Sequence, residues 1–164
     1  MKKGFTLMEI LAVLLIIAVI GGFALPALKS VRAEIRHHQA KVAALKMAEA
    51  MRAFYQNTRG YLITGSIAGT NVSKIGSNCT LSGELMGIPA EVSSSAKTKN
   101  IQVLFECNYL SAKDFIGVPY TFTAASNPFG TNVLLQVVGT GKAAGKYQDK
   151  SFKVYRDMSV EESI

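Results

Sequence analysis

The chain has 164 residues, enough for one modest domain and an appendage but not for a large enzyme cleft built from two domains. Its net charge of +7 suggests a nucleic-acid partner, yet the charge is unevenly placed: residues 29–59 hold seven bases against two acids, and residues 60–164 hold nine against eight. A basic stem beside a nearly neutral head argues against a strong nucleic-acid site on the head.

The chain begins "MKKGFTLMEI", and from Ile10 to Leu28 there is no charged side chain. Those nineteen residues would span roughly 28 Å as a helix, about the thickness of a hydrocarbon core. Gly21, Gly22 and Pro26 weaken the second half, and a kink or locally melted stretch is expected near 21–26. A cleaved secretory signal with "GFA" as its cutting site is one alternative, and a plain membrane anchor is another. The run exceeds the usual apolar length of a signal, Pro26 would follow such a cut, and Glu9 precedes the apolar centre, all of which disfavour a signal. Charge leaves the orientation in conflict. Lys2 and Lys3 favour a cytoplasmic N-terminus, while Lys29, Arg32 and Arg36 flank the other end more heavily.

Beyond Leu28 the helical pattern continues. Val31, Ile35, His38, Val42 and Leu45 fall at steps of four and three, a heptad seam, and the many alanines through Ala53 raise helix propensity. Asn57 and Gly60 are stop signals, so one helix of some fifty residues is predicted, apolar all round in its first half and amphipathic in its second. Residues 61–100 are rich in Gly, Ser, Thr and Asn and are expected to be loop. Strand character follows in "IQVLFEC" (101–107), "YTFTA" (120–124), "NVLLQVV" (132–138) and "SFKVY" (151–155), with a frayed tail "EESI". The expected fold is α+β: one long N-terminal helix packed against a small antiparallel sheet of three to four strands.

Chemistry-bearing groups are few. Cys79 and Cys107 have no CxxC spacing and no nearby histidine, which disfavours zinc. In an oxidising compartment they would form one disulfide, and otherwise they are two thiols in a core. His37 and His38 are adjacent on a helix and point about 100° apart, so they cannot chelate one metal together. His38 lies on the seam and is expected to pack at a helix interface, with His37 solvated or near a phosphate headgroup. "GTGKAAGK" lacks the Ser/Thr of a phosphate loop, and Glu84, Glu91, Glu106 and Asp114 have no spacing suited to acid–base work. Asp149, Asp157 and the tail acids are the weak calcium candidate. No cofactor or metal is expected, and the reading is non-enzymatic.

Glu9 is the exception. A bare carboxylate deep in a bilayer costs roughly 2.5–3.5 kcal/mol on insertion scales. It either snorkels to the interface or waits for a positive partner, such as the free amine left by cutting the chain just before the helix.

The segment "KKGFTLMEILAVLLIIAVIGGFALPAL" closely resembles the N-terminus of prepilins, the subunits of type IV pili and of the related pseudopilins of type II secretion. The resemblance covers about thirty residues strongly and continues weakly to "FYQNTRGY". It implies a leader at 1–4, an apolar transmembrane and assembly half-helix at 5–28, an amphipathic half at 29–59 and a head at 60–164. Gly4 matches the last leader residue, after which a prepilin peptidase would cut, and Phe5 matches the new N-terminal residue, which the same enzyme methylates. Glu9 matches the acid that neutralises a neighbouring subunit's N-terminus, and Pro26 matches the helix-kinking proline.

The implied partners are identical or homologous subunits, the peptidase and an assembly machinery in a bacterial inner membrane. The N-terminus would be cytoplasmic and the body periplasmic, and the product an extracellular pilus. The alternatives are a periplasmic pseudopilus of type II secretion or a minor, DNA-binding pilin. Cys79 and Cys107 depart from the family's C-terminal disulfide loop, because the last 57 residues lie outside them.

Overall fold

The computed structural model describes residues 6–58, 61–79, 98–125 and 132–163, with the backbone alone at 23–26. The first element, α1, runs from Leu7 to Asn57 as 51 continuous helical residues. Thr6 caps it through a reciprocal box with Glu9, and the N–H of Thr58 closes it on the Phe54 carbonyl. The melted stretch expected near 21–26 is absent. The helix carries through both glycines and Pro26, because flanking Leu, Ile and Ala residues propagate it across one missing donor.

The head is a six-stranded sheet in the order β2-β1-β3-β4-β5-β6, where three to four strands were expected. The strands are β1 (Leu62–Ala68), β2 (Thr98–Asn100), β3 (Tyr120–Ala124), β4 (Val133–Gly139), β5 (Ser151–Tyr155) and β6 (Val160–Ser163). All neighbours are antiparallel except β1 and β2, which run parallel from Leu62↔Thr98 to Thr64↔Asn100. β3, β4 and β5 stand where the residues indicated, and three expectations change.

Residues 62–68 form a strand despite their Gly and Ser, because Ile63 and Ile67 turn into the core and Gly65 takes a φ of +92°. "IQVLFEC" is not a strand. A turn leads into the short helix α2 (Val103–Glu106), and Val103, Leu104 and Phe105 are all buried, so the apparent alternation comes from a short run buried on every side. The acidic tail is not frayed through Ser163, since β6 pairs with β5 from Val154↔Val160 to Ser151↔Ser163.

The core lies between α1 and one face of the sheet. β3 alternates, with Tyr120, Phe122 and Ala124 buried. Phe105, Phe115 and Phe122 meet edge to face at centroid distances of 5.2 and 5.3 Å. The helix contributes Ala40, Ala44, Met47, Ala48, Met51 and Phe54, all buried. The heptad seam lies mostly apart from this face: Val31, Ile35 and Val42 are exposed, and so is His38, while Leu45 is half-buried against the core and His37 is buried. The alanine stripe wins because small side chains let the helix backbone approach the sheet, and the larger aromatics of the strands fill the space between. This long apolar helix on an antiparallel sheet is a pilin-like architecture.

The Cys79 and Cys107 sulfurs are bonded, with Cα atoms 4.5 Å apart. The bridge ties Cys79, in the segment that follows β1, to Cys107 at the end of α2.

Candidate functional site: the apolar stem and its base

The first half of α1 stands clear of the head. Leu7, Met8, Leu15 and Ile20 are 62–77% exposed, and none of the membrane-length apolar window is buried within the molecule. Exposed apolar area on this scale marks a surface meant for lipid or for other helices. It is the part of the chain whose environment the chain does not supply.

At the tip of the stem, the Thr6 N–H donates to Glu9 Oε2 at 2.9 Å and the Thr6 hydroxyl donates to the same oxygen at 3.0 Å. The Glu9 N–H returns a bond to Thr6 Oγ1 at 3.3 Å. One carboxylate oxygen is thus engaged by the cap, and Oε1 has no hydrogen bond among the described residues. The spacing Thr-x-x-Glu is the signature of a capping box and could have revealed this role for Thr6 in advance.

The base of the stem is clasped by a 3-10 segment, Lys142–Tyr147, folded back against α1. Arg36 Nη1 donates to the Ala143 carbonyl at 2.7 Å, and the Tyr147 hydroxyl donates to Glu34 Oε1 at 2.9 Å. Lys146 Nζ lies 2.6 Å from Glu34 Oε2. Gly145 faces Ala33 so closely that an added Cβ would stand 2.8 Å from the alanine methyl. The Lys146 ammonium, and then the Tyr147 hydroxyl, hold the Glu34 carboxyl below its ordinary range, and Glu34 in turn raises the Lys146 ammonium.

One turn further on, His37 enters the interface. Its Nδ1 is 3.0 Å from the Tyr120 hydroxyl, and its ring is edge-on to Phe152. Its Nε2 is buried without a hydrogen-bond partner among the described residues, 3.6 Å from Glu162 Oε1. Glu162 stands opposite Phe152 in the β5–β6 ladder, on the helix-facing side, and forms an ion pair with Lys41. Burial, and then the Lys41 charge, push the His37 imidazole below its ordinary value, while burial pushes the Tyr120 hydroxyl up to about 12. Lys41 holds the Glu162 carboxyl low. The neutral ring with its proton on Nε2 suits this setting, since the N–H then faces a carboxylate and Nδ1 accepts from Tyr120.

Of the residues singled out from sequence, Gly4 and Phe5 lie outside the described residues. Glu9 sits in the cap, Pro26 lies within the continuous α1 backbone, and Cys79 and Cys107 are joined. The stem and the disulfide are separate features of the molecule. No cluster of three or more His, Cys, Asp or Glu side chains able to hold a metal occurs among the described residues. Asp157 instead accepts from the Ser159 N–H at 2.9 Å and hydroxyl at 2.6 Å, closing the β5–β6 turn. His37 was missed because the choice between two helical stripes depends on what packs against them. The run of alanines around it was the available signal.

Searches against protein-family models, curated proteins and solved structures found no match to this chain.

Proposed function

We propose that this chain is a structural subunit of a type IV pilus-like filament. The observation that carries the reading is the exposed stem: a membrane-length apolar helix that its own head leaves bare, with one carboxylate in its first turn. The resemblance of residues 1–28 to a prepilin N-terminus supplies the rest. The stem spans an inner membrane with its N-terminus cytoplasmic and the head outside, where an oxidising compartment sustains the Cys79–Cys107 bond. A prepilin peptidase cuts after Gly4 and methylates the Phe5 amine.

Assembly exchanges lipid around each stem for other stems. In that apolar environment the Glu9 carboxylate meets the N-terminal amine of a neighbouring subunit. The pair selects register, because a slipped helix leaves both charges unpaired. The protein's role is mechanical and non-catalytic, and its partners are copies or homologues of itself together with the assembly machinery.

Intact-mass and N-terminal mass spectrometry of the mature protein test this reading. A chain beginning at methylated Phe5 supports it, and an intact Met1 or a cut near Ala24 overturns it.

A further inference from the structure

We propose that the base of the stem is a basic collar that docks on anionic phospholipid headgroups; this rests on the reading that the apolar stem spans a membrane. Lys29 and Arg32 follow the uncharged run directly, are exposed, and have no acidic partner among the described residues. The tertiary fold adds to them. The Arg36–Ala143 bond joins positions 107 apart in the chain and brings Lys142 and Lys146 to the same level of the helix.

Residues 29–36 rise roughly 10 Å along the helix axis, enough to cross the roughly 5–8 Å of headgroup region on one face of a hydrocarbon core. In that band five cations (Lys29, Arg32, Arg36, Lys142 and Lys146) face one carboxylate, Glu34, a net charge of +4. Glu34 is engaged by Lys146 and Tyr147. Just beyond, Asp149 is offset by its neighbour Lys150, and Glu162 by Lys41. The surplus positive charge therefore has no counterpart in the described chain at the place where the stem would leave the bilayer.

A layer of phosphate headgroups supplies that counterpart at the right depth. A nucleic acid would have to lie along the membrane plane to reach the same side chains. The fold thus gives the membrane-parked subunit a second hold besides its stem, one that is released when the stem is drawn into a filament.

The test reconstitutes the full chain from detergent into a mixture of two vesicle populations separable by density. One is phosphatidylcholine alone, and the other contains three parts in ten phosphatidylglycerol. Each accessible charge near an anionic surface adds about fivefold. The wild-type chain should therefore be enriched at least about tenfold in the anionic vesicles, and half-molar salt should abolish the enrichment. The triple variant Lys29→Gln, Arg32→Gln, Lys142→Gln should insert equally well in total but lose most of the preference. Lys74→Gln, Lys113→Gln, Lys153→Gln, which removes the same charge from the head, should keep it.

Equal distribution of the wild type, or a preference unchanged in the collar variant, overturns the collar while leaving the membrane reading intact. A chain that floats with neither population overturns the membrane reading and the collar with it. Collar-dependent binding of a short DNA duplex, with no vesicle preference, overturns the lipid assignment in favour of nucleic acid.

Discussion

The imidazole of His37 and the ring of Tyr147 stack face to face, with centroids 3.9 Å apart and planes within 5° of parallel. This contact joins the stem to the clasp at its base. Tyr120, Phe152 and Glu162 complete the walls, so one helical side chain meets the clasp and three strands of the sheet.

His37→Ala removes the stack and leaves the buried Tyr120 hydroxyl without its partner. The expected loss is about 2–3 kcal/mol in urea denaturation of the folded chain. The same site makes stability depend on pH. The folded imidazole has its pKa lowered from the ordinary value, so below that value the unfolded chain binds the proton more readily. The contribution of His37 is therefore complete above about pH 6.5 and is lost as pH falls towards the lower folded value. His37→Phe keeps a ring in the interface and should flatten the denaturation midpoint across pH 7.5 to 5. A wild-type midpoint that rises on acidification over this range would contradict the assignment.

Cys79 and Cys107 are 28 residues apart, and the bond between them constrains the unfolded chain. Reduction, or Cys79→Ser with Cys107→Ser, should lower stability by about 3–4 kcal/mol. Equal denaturation midpoints with and without reductant would show that the link contributes nothing to the fold.

Gly139 ends β4 with its N–H donating to the Lys150 carbonyl and its own carbonyl accepting from the Asp149 N–H. A Cβ added there would sit 2.1 Å from the Tyr147 carbonyl oxygen, which is backbone and cannot swing away. Gly139→Ala should cost about 2–3 kcal/mol by overpacking and displace the clasp from the stem. Hydrogen exchange read at Ala144 and Gln148 should then accelerate. Protection as slow as in the wild type would mean that the clasp holds to α1 independently of β4.

Glu9 is both cap and charge, and two variants separate the roles. Glu9→Gln retains an acceptor for the Thr6 N–H but no charge, and Glu9→Ala removes both. If charge pairing selects register, both variants should abolish or sharply reduce filaments seen by electron microscopy while heads remain folded. Normal filaments from Glu9→Gln would rule out the charge pair and leave only the cap.

How much was visible in advance differs by region. The length of α1, its end at Asn57 and the strands β3 to β5 follow from local signals: uninterrupted apolar residues, alanine content, a stop at Asn57 and alternation in "YTFTA". β1 and β6 carry weak local signals, because their order comes from neighbours. Ile63 and Ile67 need a core to enter, and the tail needs β5 to pair with. "IQVLFEC" misleads because a run buried on all sides has no period to distinguish strand from helix.

An apolar stem, a carboxylate near its tip and a more polar remainder are legible from composition along a continuous stretch. Which helical face meets the sheet, and so why His37 is buried and His38 is not, is set by packing between α1 and the head. The same packing places Lys142 and Lys146 at the base of the stem. Both outcomes depend on contacts between residues about a hundred positions apart, and the period of a helix says which side chains share a face but not what that face will meet.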